Sequence, residues 1–188
     1  MLFCDIIFAT LVYAHSVGEE LSDNLLRLHV VANSNLQQDI ETKYDVRDKI
    51  NEFINNENFS DKEQVINKLY LIEEDVNKYL KENGQEYSCR IIHTISDFPK
   101  KQYNNILMPA GRYECIKAVL GKGEGENWWC VAYPPLCFTE SVMGDISAEG
   151  ESKLKNELSD DAYKLIHSEN TEYKIRFFAV DLLNKILK

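Results

Sequence analysis

The chain lacks several features that would each point to a class of partner or scaffold. No Lys/Arg cluster interrupts it: 21 basic residues face 31 acidic ones, for a formal net charge of -10. A phosphate backbone or an anionic membrane surface needs local runs of cations, so neither nucleic acid nor a charged bilayer is expected as a partner. No metal-binding spacing occurs either. The four histidines, His15, His29, His93 and His167, form no HxH, HExxH or Cys-x-x-Cys pairing, and no cofactor or small-molecule substrate is expected. Cysteine is sparse. Cys4, Cys89, Cys115, Cys130 and Cys137 are too few to scaffold 188 residues by disulfides. Glycine-rich GKGEGEN, Gly121 to Asn127, fails as a phosphate cradle, because a strand pattern follows it where a helix amino terminus is needed and two glutamates repel the anion.

What is present suits one globular domain with a real core, since 44% of the residues are hydrophobic. Residues 1–16, MLFCDIIFATLVYAHS, read as a signal-like or truncated apolar amino terminus, too short to span a bilayer, with the single domain over 17–188. Leu25 to Asn33 is branched and apolar enough for a buried strand, and Ile40, Tyr44, Val46, Ile50, Phe53 and Ile54 then recur at helical spacing. Ser60 with Glu63 reads as a capping box for a second helix whose apolar face is Val65, Leu69, Ile72, Val76 and Tyr79. Alternation predicts strands over Tyr87 to Ile95, Arg112 to Leu120 and Trp128 to Tyr133, the last two forming a hairpin through GKGEGEN. Leu154, Leu158, Ala162 and Leu165 mark a helix, Tyr173 to Val180 a strand, and Leu182 to Leu187 a short closing helix. The expected class is α+β (or α/β), a mixed sheet of about five strands with helices packed on it.

The most distinctive stretch is NWWCVAYPPLCF, Asn127 to Phe138, and its residues admit three readings. In the first, Cys130 or Cys137 is a nucleophile with a histidine base and Asp145 or an asparagine as orienter, although catalytic thiolates usually sit at a helix start. In the second, Pro134-Pro135 turns the chain and a Cys130–Cys137 disulfide staples the bend into a rigid aromatic recognition surface, which implies an oxidising compartment. In the third, the stretch is ordinary aromatic core with two free thiols. Cys89 and Cys115 lie on apolar alternations and read as small buried hydrophobes.

LRLHVVANSN with Lys43 and Val46-Arg47-Asp48, Phe98-Pro99, Pro109-Ala110-Gly111-x-Tyr113-Glu114 and, above all, GxGENWWCVAYPPLCF closely resemble the stage II sporulation protein R family of endospore-forming Firmicutes. The likeness runs from about Leu25 to Phe178. It implies a non-enzymatic signalling protein, secreted from the forespore into the intermembrane space. There it activates the membrane-embedded aspartic protease of the mother cell that processes pro-sigma-E. The chain has no Asp-Thr/Ser-Gly signature that would make it the protease. The residues carried over are Trp128, Trp129, Tyr133, Pro134, Pro135, Leu136 and Phe138 around Cys130 and Cys137, together with His29, Asn33, Ser34, Arg47 and Asp48. They are expected to face the receptor, because aromatic and proline residues are concentrated beside the bend. The alternative is an extracytoplasmic Cys/His hydrolase acting on peptide or cell wall.

Overall fold

The computed structural model describes residues 2–103, 106–137 and 148–167. Helix α1 (Leu2–Asn24) is followed by strand β1 (Leu26–Val31), helices α2 (Gln37–Asn56), α3 (Lys62–Asn67) and α4 (Leu69–Glu82), and strand β2 (Cys89–Phe98). A small hairpin, β3 (Lys101–Tyr103) and β4 (Ile106–Met108), leads to β5 (Gly111–Leu120), β6 (Asn127–Tyr133), α5 (Ala148–Glu157) and α6 (Asp160–Ile166). The class is α+β, with a mixed four-stranded sheet in the order β2-β5-β1-β6 and the separate pair β3-β4. Among the described residues no helix is long and apolar enough to cross a membrane.

The described residues fall into two compact units: 25–96 with 114–137, and 2–24 with 97–103, 106–113 and 148–167. In the second, Leu21, Ile106, Met108, Leu154, Leu165 and Ile166 are buried. Ser159 caps α6, its hydroxyl accepting from the Ala162 N–H while donating to Glu20 of α1. The Tyr113 hydroxyl donates to the Pro109 carbonyl, and its ring meets Phe98 edge to face at 5.8 Å.

The first unit carries the sequence motifs. β1 is buried at every position, as its run of branched residues predicts for a strand with neighbours on both edges. It pairs parallel with β5 and antiparallel with β6. The expected hairpin between β5 and β6 therefore does not form, because β1 is inserted between them. The glycine loop makes that possible by arching over the end of β1: Glu124 N donates to Asn33 O, Gly125 N to Ala32 O, and Ala32 N returns a bond to Glu126 O. A Cβ on Gly125 would collide with the Ser34 carbonyl, and Gly121 sits at φ +52° against the Asn33 side chain.

Other differences from the sequence reading are local. The helix after Asn58 starts one residue later than expected: Asp61, not Ser60, caps α3 by accepting from Gln64 N, because its extended backbone aims the carboxylate at that N–H. Lys68 then separates α3 from α4, and the buried stripe of α4 is Leu69, Ile72, Val76 and Leu80, with Tyr79 at its edge. Leu154, Leu158, Ala162 and Leu165 are buried as expected, but Leu158 and Ser159 form a break that puts Leu154 on α5 and Ala162 and Leu165 on α6. The strand and helix expected over Tyr173 to Leu187 lie outside the described residues.

Candidate functional site

The site is built where β6 ends. Cys130 and Cys137 form a disulfide with Cα atoms 5.3 Å apart, closing the loop that contains the cis Tyr133–Pro134 peptide and Pro135. Leu136 N donates to Val131 O at 3.2 Å, so the chain folds straight back on the strand it has left. The bend divides the aromatic string into two layers. Trp128, Trp129, Pro135 and Cys137 are partly exposed, whereas Cys130, Tyr133, Pro134 and Leu136 are buried. Leu136, expected as a surface anchor, is 1% exposed, and the Tyr133 hydroxyl donates to Ser60 O at 2.6 Å. These residues hold the bend from beneath. Phe138 lies outside the described residues.

Register explains how His29 reaches this surface. It is opposite Trp129 across β1 and β6, and the two rings stack with centroids 3.7 Å apart. His29 Nε2 donates to Asn127 Oδ1 at 2.7 Å. Burial disfavours the imidazolium and lowers the His29 pKa, the Asn127 bond opposes this, and Lys117 adds to the lowering. Trp128, one residue earlier, points to the other face, where α2 packs. There Tyr44 meets it edge to face at 5.4 Å, and the Arg47 guanidinium lies 4.6 Å from the Trp128 ring centroid and 4.9 Å from that of Tyr44. Arg47 is buried and forks onto Asp48 through Nε and Nη2, at 2.8 and 3.1 Å. The preceding turn carries buried Lys43, whose Nζ lies 4.4 Å over the Tyr44 ring and 3.8 Å from Glu126.

Asn33 and Ser34 belong to a different corner. Both donate to Asp39 Oδ2, the Tyr87 hydroxyl donates to Asp39 Oδ1, and Asn33 Oδ1 accepts from Lys122 N. Burial pushes the Asp39 pKa up, but the bonds from Ser34, Tyr87 and Asn33 outweigh it and hold the carboxyl below its ordinary range. The expected site residues thus separate into a stapled aromatic bend with His29 and Arg47 behind it, and a polar clasp that fastens the glycine loop to the end of β1. Asp39, Tyr44, Tyr87 and Asn127 complete these groups. Sequence reading placed Tyr44 only on one face of a helix, and treated Tyr87 as a strand residue. A lone carboxylate preceded by Asn and Ser within six residues was the available signal for the clasp.

Cys89 and Cys115 are free and buried. Burial, with Glu73 nearby, pushes the Cys89 thiol up to about 12, and burial also raises Cys115. Neither is poised as a thiolate. Among the described residues no group of three or more His, Cys, Asp or Glu side chains is arranged to hold a metal ion.

Comparison with known proteins matches much of this chain to a described family. The sequence model of the family described as stage II sporulation protein R matches residues 22–143, which include both the clasp and the bend. The chain is similar to the stage II sporulation protein R of Bacillus subtilis (strain 168), at 31% identity over 185 residues, covering 88% of this chain and 83% of that relative. No solved structure matches.

Proposed function

The chain belongs to the stage II sporulation protein R family, and from that membership we propose that it is an extracytoplasmic signalling ligand. It passes from the forespore into the intermembrane space and activates the membrane-embedded aspartic protease that processes pro-sigma-E. The observation that carries this reading is the stapled bend. Pro135 is partly exposed on a short loop closed by Cys130–Cys137 and backed by buried Tyr133 and Leu136, and Trp128 and Trp129 are partly exposed on the strand that leads into it. Aromatic and proline side chains held on a rigid support lose little entropy when a partner covers them, which is the usual make-up of a binding anchor. The disulfide also fits an oxidising compartment outside the cytoplasm. Both sulfurs that a hydrolase would need at this bend are tied in the same bond.

Purified chain added to vesicles that hold the protease and the sigma-factor precursor tests the reading directly. Wild-type protein is expected to start processing. Trp129→Ala is expected to reduce it by tenfold or more while remaining folded by circular dichroism. Leu136→Ala, at a buried position, is expected to act through stability, at a cost of about 2–5 kcal/mol. Processing that starts equally well with Trp129→Ala, or not at all with the folded wild-type chain, overturns the proposal.

A further inference from the structure

We infer that the face between α2 and β6 holds a carboxylate-binding site formed by Arg47, Asn51 and Trp128. Three N–H donors there have no acceptor: Arg47 Nη1, Asn51 Nδ2 and Trp128 Nε1 are all buried and unpaired. Arg47 is 3% exposed and Asn51 9%, so the bulk solvent that would ordinarily serve such groups does not reach them. Buried donors are paired almost without exception, and each orphan is costly, so two on one flank of α2 and a third on the facing strand β6 call for a common acceptor.

Helix geometry puts two of them on one flank of α2. At about 3.6 residues per turn, Arg47 and Asn51 are stacked one turn apart, with Tyr44 on the same flank. That flank faces Trp128, because both the Tyr44 ring and the Arg47 guanidinium touch the indole. Asp48 occupies only Nε and Nη2 of Arg47, which leaves Nη1 directed away from that pair.

Charge decides the ligand class. The cations Lys43 and Arg47 are 1% and 3% exposed, while their counter-ions Glu126 and Asp48 are 65% and 42% exposed. Even with buried Asp39 counted on the same flank of α2, the two buried cations outnumber the one buried carboxylate, and all three orphan groups are donors, so the ligand is an acceptor-only anion. A carboxylate supplies two oxygens that accept from a guanidinium, an amide and an indole without bringing a donor of its own. Its approach is along the Tyr44–Trp128 edge, since those two side chains alone in the group are partly exposed. This inference goes beyond the signalling role and stands whether or not that role holds.

Nitrogen-15 spectra of the full chain read the site through the indole N–H of Trp128, assigned with Trp129→Phe. Propionate is titrated against chloride at equal ionic strength. In a second arm, a short peptide with a free carboxyl terminus is compared with its amide. The expected result is a saturable downfield shift of the Trp128 resonance with the carboxylates and none with chloride or the amide. Saturation by propionate assigns a free carboxylate, and saturation by the peptide alone assigns one borne on a chain. Asn51→Leu is expected to weaken binding by about tenfold without lowering the melting temperature, because it deletes a donor that has no partner in the free protein. An unmoved Trp128 resonance in both arms, or an Asn51→Leu response equal to wild type, overturns the inference.

Discussion

His29 shows how one side chain acquires a pH response from its neighbours. The stack on Trp129 and the enclosure of β1 remove water from the imidazole, so its charged form is disfavoured and its pKa falls below the ordinary 6.5. In the unfolded chain the ring takes up a proton first as the solution is acidified, so protonation favours unfolding. The contribution of His29 is therefore fully present above about pH 6.5 and is lost as pH falls through the lower folded value. Thermal melts of wild type are expected to drop between pH 7 and 5. His29→Gln, which keeps a donor for Asn127 but cannot titrate, is expected to flatten that segment of the curve. An identical slope in the two proteins would assign the acid response elsewhere. Asp39 loses its contribution only at lower pH, as its depressed carboxyl takes up a proton and can no longer accept from Ser34, Tyr87 and Asn33 as an anion.

At the scale of elements, the glycine loop decides the sheet. Strands β5 and β6 are close in sequence, and only a loop able to pass over the end of β1 allows that strand to lie between them. Gly125 is where the two backbones come closest, since its amide bonds Ala32 O and its α-carbon faces the Ser34 carbonyl. Gly125→Ala puts a methyl group against a backbone that cannot rotate away. Its expected cost is on the order of 2 kcal/mol or more by chemical denaturation. Gly18→Ala makes the contrast. It sits within α1 with nothing within 4 Å of the added carbon, and is expected to stabilise by about 0.5–1 kcal/mol. Equal effects at the two sites would mean that the loop does not need its close approach.

For the molecule as a whole, the Cys130–Cys137 disulfide acts mainly on the unfolded chain. Residues 130 and 137 are seven apart, and closing so short a loop stabilises by about 2.5 kcal/mol on the chain-entropy model. The double substitution Cys130→Ser with Cys137→Ser is expected to lower the unfolding free energy by about that amount, and reductant is expected to shift wild type to the same midpoint. Cys89 and Cys115 serve as internal controls. Their burial, and the thiol pKa of Cys89 raised to about 12, should keep both unalkylated at neutral pH until the chain unfolds. Rapid labelling of either in folded protein would contradict the buried placement.

Local periodicity made much of this legible in the chain. Branched residues mark β1 as a buried strand, i, i+3, i+4 spacing marks α2 and α4, and the string from Trp128 to Leu136 identifies the bend and its family. Those signals act over a few residues, and neighbouring positions are enough to read them. Three matters needed the folded chain: the insertion of β1 between β5 and β6, the gathering of Asn33, Ser34 and Tyr87 on Asp39, and the sorting of the aromatic string into exposed Trp129 and buried Leu136. Each joins groups from distant segments, and alternation along a strand does not say which strand lies beside it. Which of two apolar side chains faces water is settled by what packs on each face, and for this bend that is α2, His29 and the returning backbone at Leu136.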